Sequence, residues 1–200
     1  MKRKVSPGER LLAALAGFLL LPPGLLVALA ILVTDGPPVF FIQERVGQGG
    51  GVFPLFKFRS MTRLPAGQFR NGLTVPADPQ ITWVGKWLRR SRMDEWPQLL
   101  NIIRGEMSWV GPRPELACYV AHYRPEERLV LESPPGLTDP ASIVFRHEGR
   151  ILARSADPEK TYIKHLMPRK IRMNLRYAAQ RTPISDCCVV VATVRRLLCG

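Results

Sequence analysis

Residues 11–33, LLAALAGFLLLPPGLLVALAILV, form an uninterrupted apolar run that is long enough to cross the roughly 30 Å hydrocarbon core of a bilayer. The middle of the run contains Pro22 and Pro23. A proline inside a helix removes a backbone hydrogen bond and clashes with the preceding turn. The sequence therefore predicts a membrane element within residues 1–36, made of two helices with a sharp break at Pro22 and Pro23.

Basic residues on both sides of this run favour a re-entrant topology, because clustered lysines and arginines tend to stay on the cytoplasmic side. A helix that dips into the bilayer and returns at its break leaves both flanks on one side. Two alternatives stay open: an ordinary kinked single span, and a signal peptide cleaved after Ala28-Leu29-Ala30. The flanking basic residues are Lys2, Arg3, Lys4 and Arg10 before the run, and Arg45, Lys57, Arg59 and Arg63 after it.

The rest of the chain, residues 37–200, is predicted to form one compact domain. A length of 200 residues with 46% hydrophobic composition suffices for one core and one membrane element, but hardly for two full domains. The formal net charge of +13 indicates an anionic partner, which the charge alone leaves open among nucleic acid, an anionic membrane surface and a phosphorylated substrate.

Two classes of partner are disfavoured by the residue pattern. Nucleic-acid binding calls for basic residues interleaved with exposed aromatics. The spacing of Trp83, Trp87, Trp96 and Trp109 fits helix packing or an interfacial belt better, so no nucleic acid is expected. The four cysteines and three histidines show no spacing typical of a tetrahedral metal site, and the cysteines are interpreted as reduced thiols.

Strand and helix signals in residues 37–200 predict a mostly helical α/β fold. Residues 39–46 and 52–61 read as a β-hairpin around the glycine-rich turn 47–51, which no helix follows and which therefore does not form a phosphate-binding loop. Residues 63–80 read as a loop, and residues 81–103 have helical periodicity.

The C-terminal half contains two proline-rich loops and two further apolar patterns. The loops are residues 110–114 and 133–136. Residues 158–180 predict a basic amphipathic helix bent at Pro168. Its apolar stripe is typical of an interfacial membrane helix and also of an ordinary packing face. Residues 184–198 are apolar, and their valines leave helix and strand both open.

The pair Asp94-Glu95 is the candidate for chemistry. Ser91 and Asp94 match a capping box, and Pro97 suits the first turn of a helix, so both carboxylates are predicted at a helix start. Attack of a carboxylate on an anionic phosphorus needs nearby cations and usually a divalent metal. Mg²⁺ binds one or two carboxylates together with substrate phosphates, which suits Asp94. A solvated salt-bridge cluster would show the same pattern. The arginines available for a diphosphate are Arg89, Arg90, Arg92 and Arg113.

Longer motifs around this pair carry a family resemblance that covers most of residues 8–140. The chain resembles the bacterial sugar transferase family, the small monotopic phosphoglycosyl transferases that start glycan assembly on undecaprenyl phosphate. The matching segments are 37–41 (PPVFF), 43–47 (QERVG), 57–61 (KFRSM), 78–82 (DPQIT), 84–85 (VG), 88–89 (LR), 94–101 (DEWPQLLN), 105–108 (GEMS) and 110–115 (VGPRPE).

The resemblance implies a re-entrant membrane helix and a two-step mechanism. Asp94 would be the nucleophile that attacks a UDP-sugar, releases UMP and holds the sugar phosphate until polyprenyl phosphate takes it. Glu95 would act as a base, Mg²⁺ would bind to Asp94, and Arg89 would contact the lipid phosphate. The residues predicted to bind the substrates are Arg89, Arg113, Lys57 and Arg59.

The same resemblance implies a monotopic protein of the bacterial inner membrane, with its catalytic domain on the cytoplasmic face and a phospholipid membrane as partner. A homodimer stays open. Residues 135–150 depart from the common family pattern, which puts the sugar in doubt and not the reaction. The rival interpretations are a membrane-tethered basic binding or regulatory module without catalysis, and direct transfer with Asp94 as a metal ligand only.

Overall fold

A computed structural model describes residues 3–62 and 78–198. Most of the predicted loop 63–80 lies outside the described residues, as do Lys2, Arg63 and Cys199. The fold is mostly helical with two small two-stranded sheets. Its helices are α1 (Pro7–Asp35), α2 (Trp83–Ser91), α3 (Leu99–Arg104), α4 (Ala117–Val120), α5 (Pro140–Val144), α6 (Glu148–Ala153), α7 (Pro158–Thr161), α8 (Met167–Ala179) and α9 (Pro183–Leu198).

Helix α1 starts at a complete capping box. The Ser6 hydroxyl accepts a hydrogen bond from the Glu9 backbone N–H, and the Glu9 carboxylate accepts one from the Ser6 backbone N–H. The helix then runs without interruption through Pro22 and Pro23 to Asp35. The structure thus has one continuous helix where two helices were predicted, and the re-entrant topology stays a prediction. The φ angle of a proline is itself compatible with a helix, and both halves of α1 pack against the rest of the protein.

One face of α1 packs against the protein along most of its length. In the first half, Ala13 joins a hydrophobic cluster with Leu55 and Ile102. In the second half, Val27 and Ile31 pack into another cluster of buried side chains. The opposite face is a continuous apolar surface, with Phe18 75% exposed and other exposed side chains at Leu11, Leu12, Leu15, Leu19, Leu21, Leu25, Leu26, Leu29, Leu32 and Val33. By length and composition, α1 is able to cross a membrane.

The predicted β-hairpin is confirmed. Strands β1 (Phe40–Val46) and β2 (Val52–Phe58) pair antiparallel, with Phe40 opposite Phe58 and Val46 opposite Val52. A short 3₁₀ turn, Gln48–Gly50, joins them. The hairpin packs against α1 through Phe53, Leu55 and Phe58, and this packing fixes the position of Lys57 between two of these buried residues.

The two proline-rich loops lie side by side. Strand β3 (Ser108–Val110) pairs parallel with β4 (Gly136–Thr138). A Cβ atom built on Gly111 would lie 2.3 Å from the Pro134 carbonyl oxygen, so the backbones touch where a side chain would not fit. This close contact holds the segment that leads to Arg113.

The amphipathic segment 158–180 is helical, but its apolar stripe faces the protein. It consists of α7, a π-helical turn over Tyr162–Leu166 and α8, and the π turn ends two residues before Pro168. Leu166, Met167 and Ile171 are buried in the largest hydrophobic cluster. Of the two interpretations that the sequence left open for this stripe, the structure shows the packing face, because Leu166, Met167 and Ile171 are buried against the protein.

The C-terminal run is a helix, α9, which resolves the open choice between helix and strand. Arg181, between α8 and α9, donates to the Val110 carbonyl oxygen at 2.6 Å and pairs with Asp186 at 2.8 Å. These contacts fasten the junction of the two last helices to the end of β3, and so to the loop that contains Arg113.

Candidate active site

The Asp94-Glu95 pair lies at a sharp change of chain direction after α2. Arg92 adopts a left-handed backbone conformation, with φ 59°, and a 3₁₀ helix, Met93–Gln98, starts directly after it. The prediction that both carboxylates lie at a helix start is confirmed. The predicted capping box is wrong, because the Ser91 hydroxyl donates to the Trp87 and Leu88 carbonyl oxygens of the preceding helix.

Glu95 is the centre of a cation cluster. Its Oε1 atom lies 2.8 Å from Arg113 Nη2, 3.0 Å from Lys57 Nζ and 3.7 Å from Arg92 Nη1. Burial alone would raise the pKa of Glu95, but Arg113, Lys57 and Arg92 outweigh it and hold that pKa well below its usual value. Glu95 in turn raises the pKa of Arg113. The carboxylate is therefore ionised at neutral pH and fixes the positions of cations from three separate segments.

Asp94 has a different environment. It is 7% exposed, and its Oδ1 atom has no hydrogen-bond partner among the residues that the structure describes. Burial and the neighbouring Glu95 raise the pKa of Asp94, while Lys57, Arg89 and Arg92 partly offset this shift. A buried carboxylate oxygen without a partner is energetically costly, and such atoms in native sites call for a ligand or a chemical role.

The predicted substrate-binding residues are only partly brought together. Lys57 and Arg113 both contact Glu95. Arg89 Nε donates to Ser60 Oγ at 2.9 Å, and this contact orients Arg89 on the side of Asp94. Arg59 does not join them: its Nη2 donates to the carbonyl oxygens of Asp35 and Gly36 and so binds the C-terminal end of α1.

The residues present fit a magnesium site that a substrate would complete. No group of three or more His, Cys, Asp or Glu side chains that could hold a metal occurs in ranges 3–62 and 78–198. Mg²⁺ commonly uses one or two protein carboxylates, with substrate phosphates and water as the remaining ligands. The unpartnered oxygen of Asp94 matches such a site, whereas the Glu95 Oε1 atom is already surrounded by cations.

Asn101 is a supporting residue that sequence reasoning missed. Its side chain is fully buried; Nδ2 donates to the Pro54 carbonyl and to Glu106 Oε2, both at 2.7 Å, and Oδ1 accepts from the Phe56 N–H at 3.2 Å. These bonds tie α3 to β2, the strand that contains Lys57. The available signal was an amide inside the otherwise apolar helical run 99–103.

The whole site lies within a region that matches one family. The family model for bacterial sugar transferase matches residues 6–200. The chain belongs to the bacterial sugar transferase family. The match includes α1, the hairpin, the Asp94-Glu95 turn and the loop with Arg113, so every element of the site lies within the family's boundaries.

Curated relatives in this family extend the comparison. The chain is 31% identical over 200 residues to UDP-N-acetylgalactosamine-undecaprenyl-phosphate N-acetylgalactosaminephosphotransferase of Aeromonas hydrophila, covering 98% of the chain and 44% of that protein. It is 38% identical over 160 residues to exopolysaccharide production protein ExoY of Sinorhizobium fredii, covering 73% of the chain and 71% of that protein. It is 35% identical over 193 residues to UDP-glucose:undecaprenyl-phosphate glucose-1-phosphate transferase of Caulobacter vibrioides, covering 93% of the chain and 66% of that protein. The chain thus spans less than half of the Aeromonas relative.

Proposed function

We propose that this protein transfers a sugar 1-phosphate from a UDP-sugar to a polyprenyl phosphate, with release of UMP. The observation that carries the proposal is the buried Asp94 carboxylate, which has an unpartnered oxygen beside a cluster of cations. The names of family relatives support the same donor and acceptor classes. The test is UMP release by the purified protein: repeated turnover should require a UDP-sugar, polyprenyl phosphate and Mg²⁺ together, whereas without polyprenyl phosphate release should stop at one UMP per protein molecule.

In the first proposed step, an oxygen of Asp94 attacks the phosphorus that bears the sugar. The new P–O bond forms as the bond from this phosphorus to the bridging oxygen breaks, and UMP leaves with that electron pair. Arg113 and Lys57 neutralise the diphosphate, which lowers the repulsion between the carboxylate and the anionic phosphorus. A magnesium ion held by Asp94 would add positive charge at the leaving phosphate.

In the second proposed step, a phosphate oxygen of the polyprenyl phosphate attacks the same phosphorus. The bond to Asp94 breaks and the free carboxylate is restored, while the acceptor receives the sugar phosphate. Arg89, whose Nε donates to Ser60 Oγ, would bind the acceptor phosphate. Glu95 as the base remains a prediction, and its lowered pKa favours a second role as the counter-ion that arranges Arg113 and Lys57.

The contacts of α1 support a monotopic placement in the membrane. At about 1.5 Å per residue, 29 residues extend about 44 Å. Near the start of α1, Arg10 Nε donates to the Ile103 carbonyl at 2.7 Å, and at its end Asp35 accepts from Arg59 at 2.9 Å. Both ends are thus fastened to one globular body, and a transmembrane span would separate them by the bilayer. The exposed apolar face of α1 would enter the bilayer from the cytoplasmic side of the inner membrane.

This placement predicts that both ends of α1 are accessible from the same side. Single cysteines replacing Lys4 and Glu126, in a background whose four native cysteines are serines, should both react with a membrane-impermeant maleimide only when the cytoplasmic face is open. Labelling at Lys4 from the periplasmic side would contradict the monotopic placement. The Glu126 variant, on the globular body, serves as the control for sidedness.

The Glu95→Gln substitution should weaken both stability and turnover. The amide removes the negative charge that holds Lys57 and Arg113 together. We expect a loss of about 2 kcal/mol in the free energy of unfolding and of about 10- to 100-fold in the rate of UMP release. Since the pKa of Glu95 is lowered in the folded state, its stabilisation is present above pH 4.5 and is lost as the pH falls below that value.

Unfolding measurements at pH 7 and at pH 4 should therefore show a smaller difference between Glu95→Gln and the wild type at the lower pH. Glu44→Gln, on an exposed position of the hairpin, is the matched control and should change neither quantity. Equal stability of Glu95→Gln and the wild type at pH 7 would contradict the role of Glu95 as the counter-ion.

A binding or regulatory module without catalysis is the second candidate function. The exposed apolar face of α1 and the net charge of +13 favour membrane attachment in either case. This second function predicts that the protein binds polyprenyl phosphate or anionic lipid without releasing UMP. The buried, unpartnered carboxylate of Asp94 favours the enzyme, because a module that only binds anions has no need of it.

A further inference from the structure

A small cavity is lined in part by Arg113, and neither Asp94 nor Glu95 is among its lining residues. Its volume is about 30 Å³, which accommodates about two water-sized groups. It is lined by the turn after β1, the loop around Arg113 and helix α8, with Val46, Val130 and Ile171 among its apolar walls. The volume suits a single hydroxyl or hydroxymethyl group and is too small for a ring.

Two buried polar residues of α8 line this cavity. Asn174 is 7% exposed, and its Oδ1 atom has no hydrogen-bond partner within residues 3–62 and 78–198. Lys170 is one helical turn earlier on the same face, is also 7% exposed and pairs with Glu148 Oε2 at 2.9 Å. The cavity therefore contains an unsatisfied acceptor next to a cation whose counter-ion is already present. An unsatisfied buried acceptor costs about 1–3 kcal/mol, which a hydroxyl donor would offset.

The cavity is connected to the reaction centre through Arg113. This residue lines the cavity, and its Nη2 atom lies 2.8 Å from Glu95 Oε1. If Arg113 binds the diphosphate of the donor, as the proposed function requires, the groups attached to that diphosphate lie next to the cavity. The two attached groups are the transferred sugar and the ribose, and both carry hydroxyl groups.

We propose that this cavity is a hydroxyl-recognition subsite for the nucleotide-sugar donor, in which Asn174 Oδ1 accepts a hydrogen bond from one donor hydroxyl. Lys170 lies beside the same hydroxyl and stabilises its oxygen. The inference rests on the proposed function and adds Lys170 and Asn174 as specificity-determining residues. The hydroxyl comes from the sugar or from the ribose, and the experiment separates the two sources.

The test compares wild type with Asn174→Leu, which is similar in size and removes the acceptor. Each is assayed for nucleotide release with a UDP-sugar, with analogues that lack one sugar hydroxyl, and with the 2′-deoxyuridine analogue. Removing the recognised hydroxyl should lower wild-type kcat/KM by about 10- to 100-fold, because a buried polar group then loses its partner. The same removal should change kcat/KM of Asn174→Leu by less than about 2-fold, because no acceptor remains to be unsatisfied.

The ratio of the kcat/KM values for two donors is measured in one protein preparation, so any partial unfolding of Asn174→Leu affects both values equally and cancels. Arg176→Leu, an exposed change on the same helix, should keep the wild-type ratios. If wild type and Asn174→Leu lose the same factor for every missing hydroxyl, the subsite is overturned. Absence of UMP release from the wild type with any donor would instead refute the proposed function. Equilibrium binding of the same donors then still tests the subsite, and equal binding ratios in the two proteins would overturn it.

Discussion

Asp94→Asn should lower the rate of UMP release by about 10⁴-fold or more, because the amide keeps the shape of the side chain but cannot act as the nucleophile. The substitution should leave the fold intact. Burial and Glu95 raise the pKa of Asp94, so the ionised carboxylate is disfavoured in the folded protein and a neutral amide removes that cost. We therefore expect a melting temperature equal to or above that of the wild type.

The matched control for this change is Asp157→Asn. Asp157 caps α7 by accepting from the Lys160 N–H at 2.9 Å, and asparagine caps a helix equally well. This variant should retain wild-type stability and turnover. An Asp94→Asn protein that released UMP at more than about a tenth of the wild-type rate would contradict the assignment of the nucleophile.

Gly111→Ala should destabilise the protein by about 3 kcal/mol, because the added Cβ would overlap backbone atoms. The Cβ would lie 2.3 Å from the Pro134 carbonyl oxygen and 3.0 Å from the Gly136 nitrogen. The two loops must then separate. Since Arg113 follows two residues later, its contact with Glu95 should weaken too, and UMP release should fall by more than about 10-fold.

Gly51→Ala provides the control for Gly111→Ala. At Gly51 the nearest atom to the new Cβ would be 3.8 Å away, and the backbone has an ordinary extended conformation, with φ −65°. Urea unfolding of the two variants should therefore differ by about 3 kcal/mol. A Gly111→Ala protein as stable as Gly51→Ala would show that the two loops do not pack as closely as the structure indicates.

Local patterns in the sequence predicted the elements whose residues interact with near neighbours. The hairpin follows from alternation around a glycine-rich turn, and the helical start at Asp94 follows from Pro97 and the preceding helix. The sequence predicted an interruption of α1, and the structure has a continuous helix there. The prediction used only the local effect of proline on a helix, whereas both halves of α1 pack against residues that are distant in sequence. The sequence left two surroundings possible for the apolar stripe on α8, a membrane interface and the protein interior. Only the tertiary contacts show that the stripe faces the protein.

The candidate site was predictable where its residues are adjacent in sequence. Asp94 and Glu95 are consecutive, and their chemistry is evident from residue type. Lys57 and Arg113 both contact one oxygen of Glu95, although they lie 38 and 18 residues away from it in the sequence. No local pattern encodes such a contact. Arg59 belongs to the same motif as Lys57, yet it follows Phe58, the last residue of β2, and its guanidinium group binds the end of α1.

The most direct test of the account is to trap the proposed intermediate. The protein would be incubated with a UDP-sugar labelled in the phosphate next to the sugar, without polyprenyl phosphate, and its mass and peptides measured after rapid denaturation. One sugar phosphate should be added to the peptide that contains Asp94; polyprenyl phosphate should then remove it, and the Asp94→Asn protein should never acquire it. Normal UMP release in the presence of polyprenyl phosphate, together with no label bound to the polypeptide in its absence, would contradict the covalent intermediate.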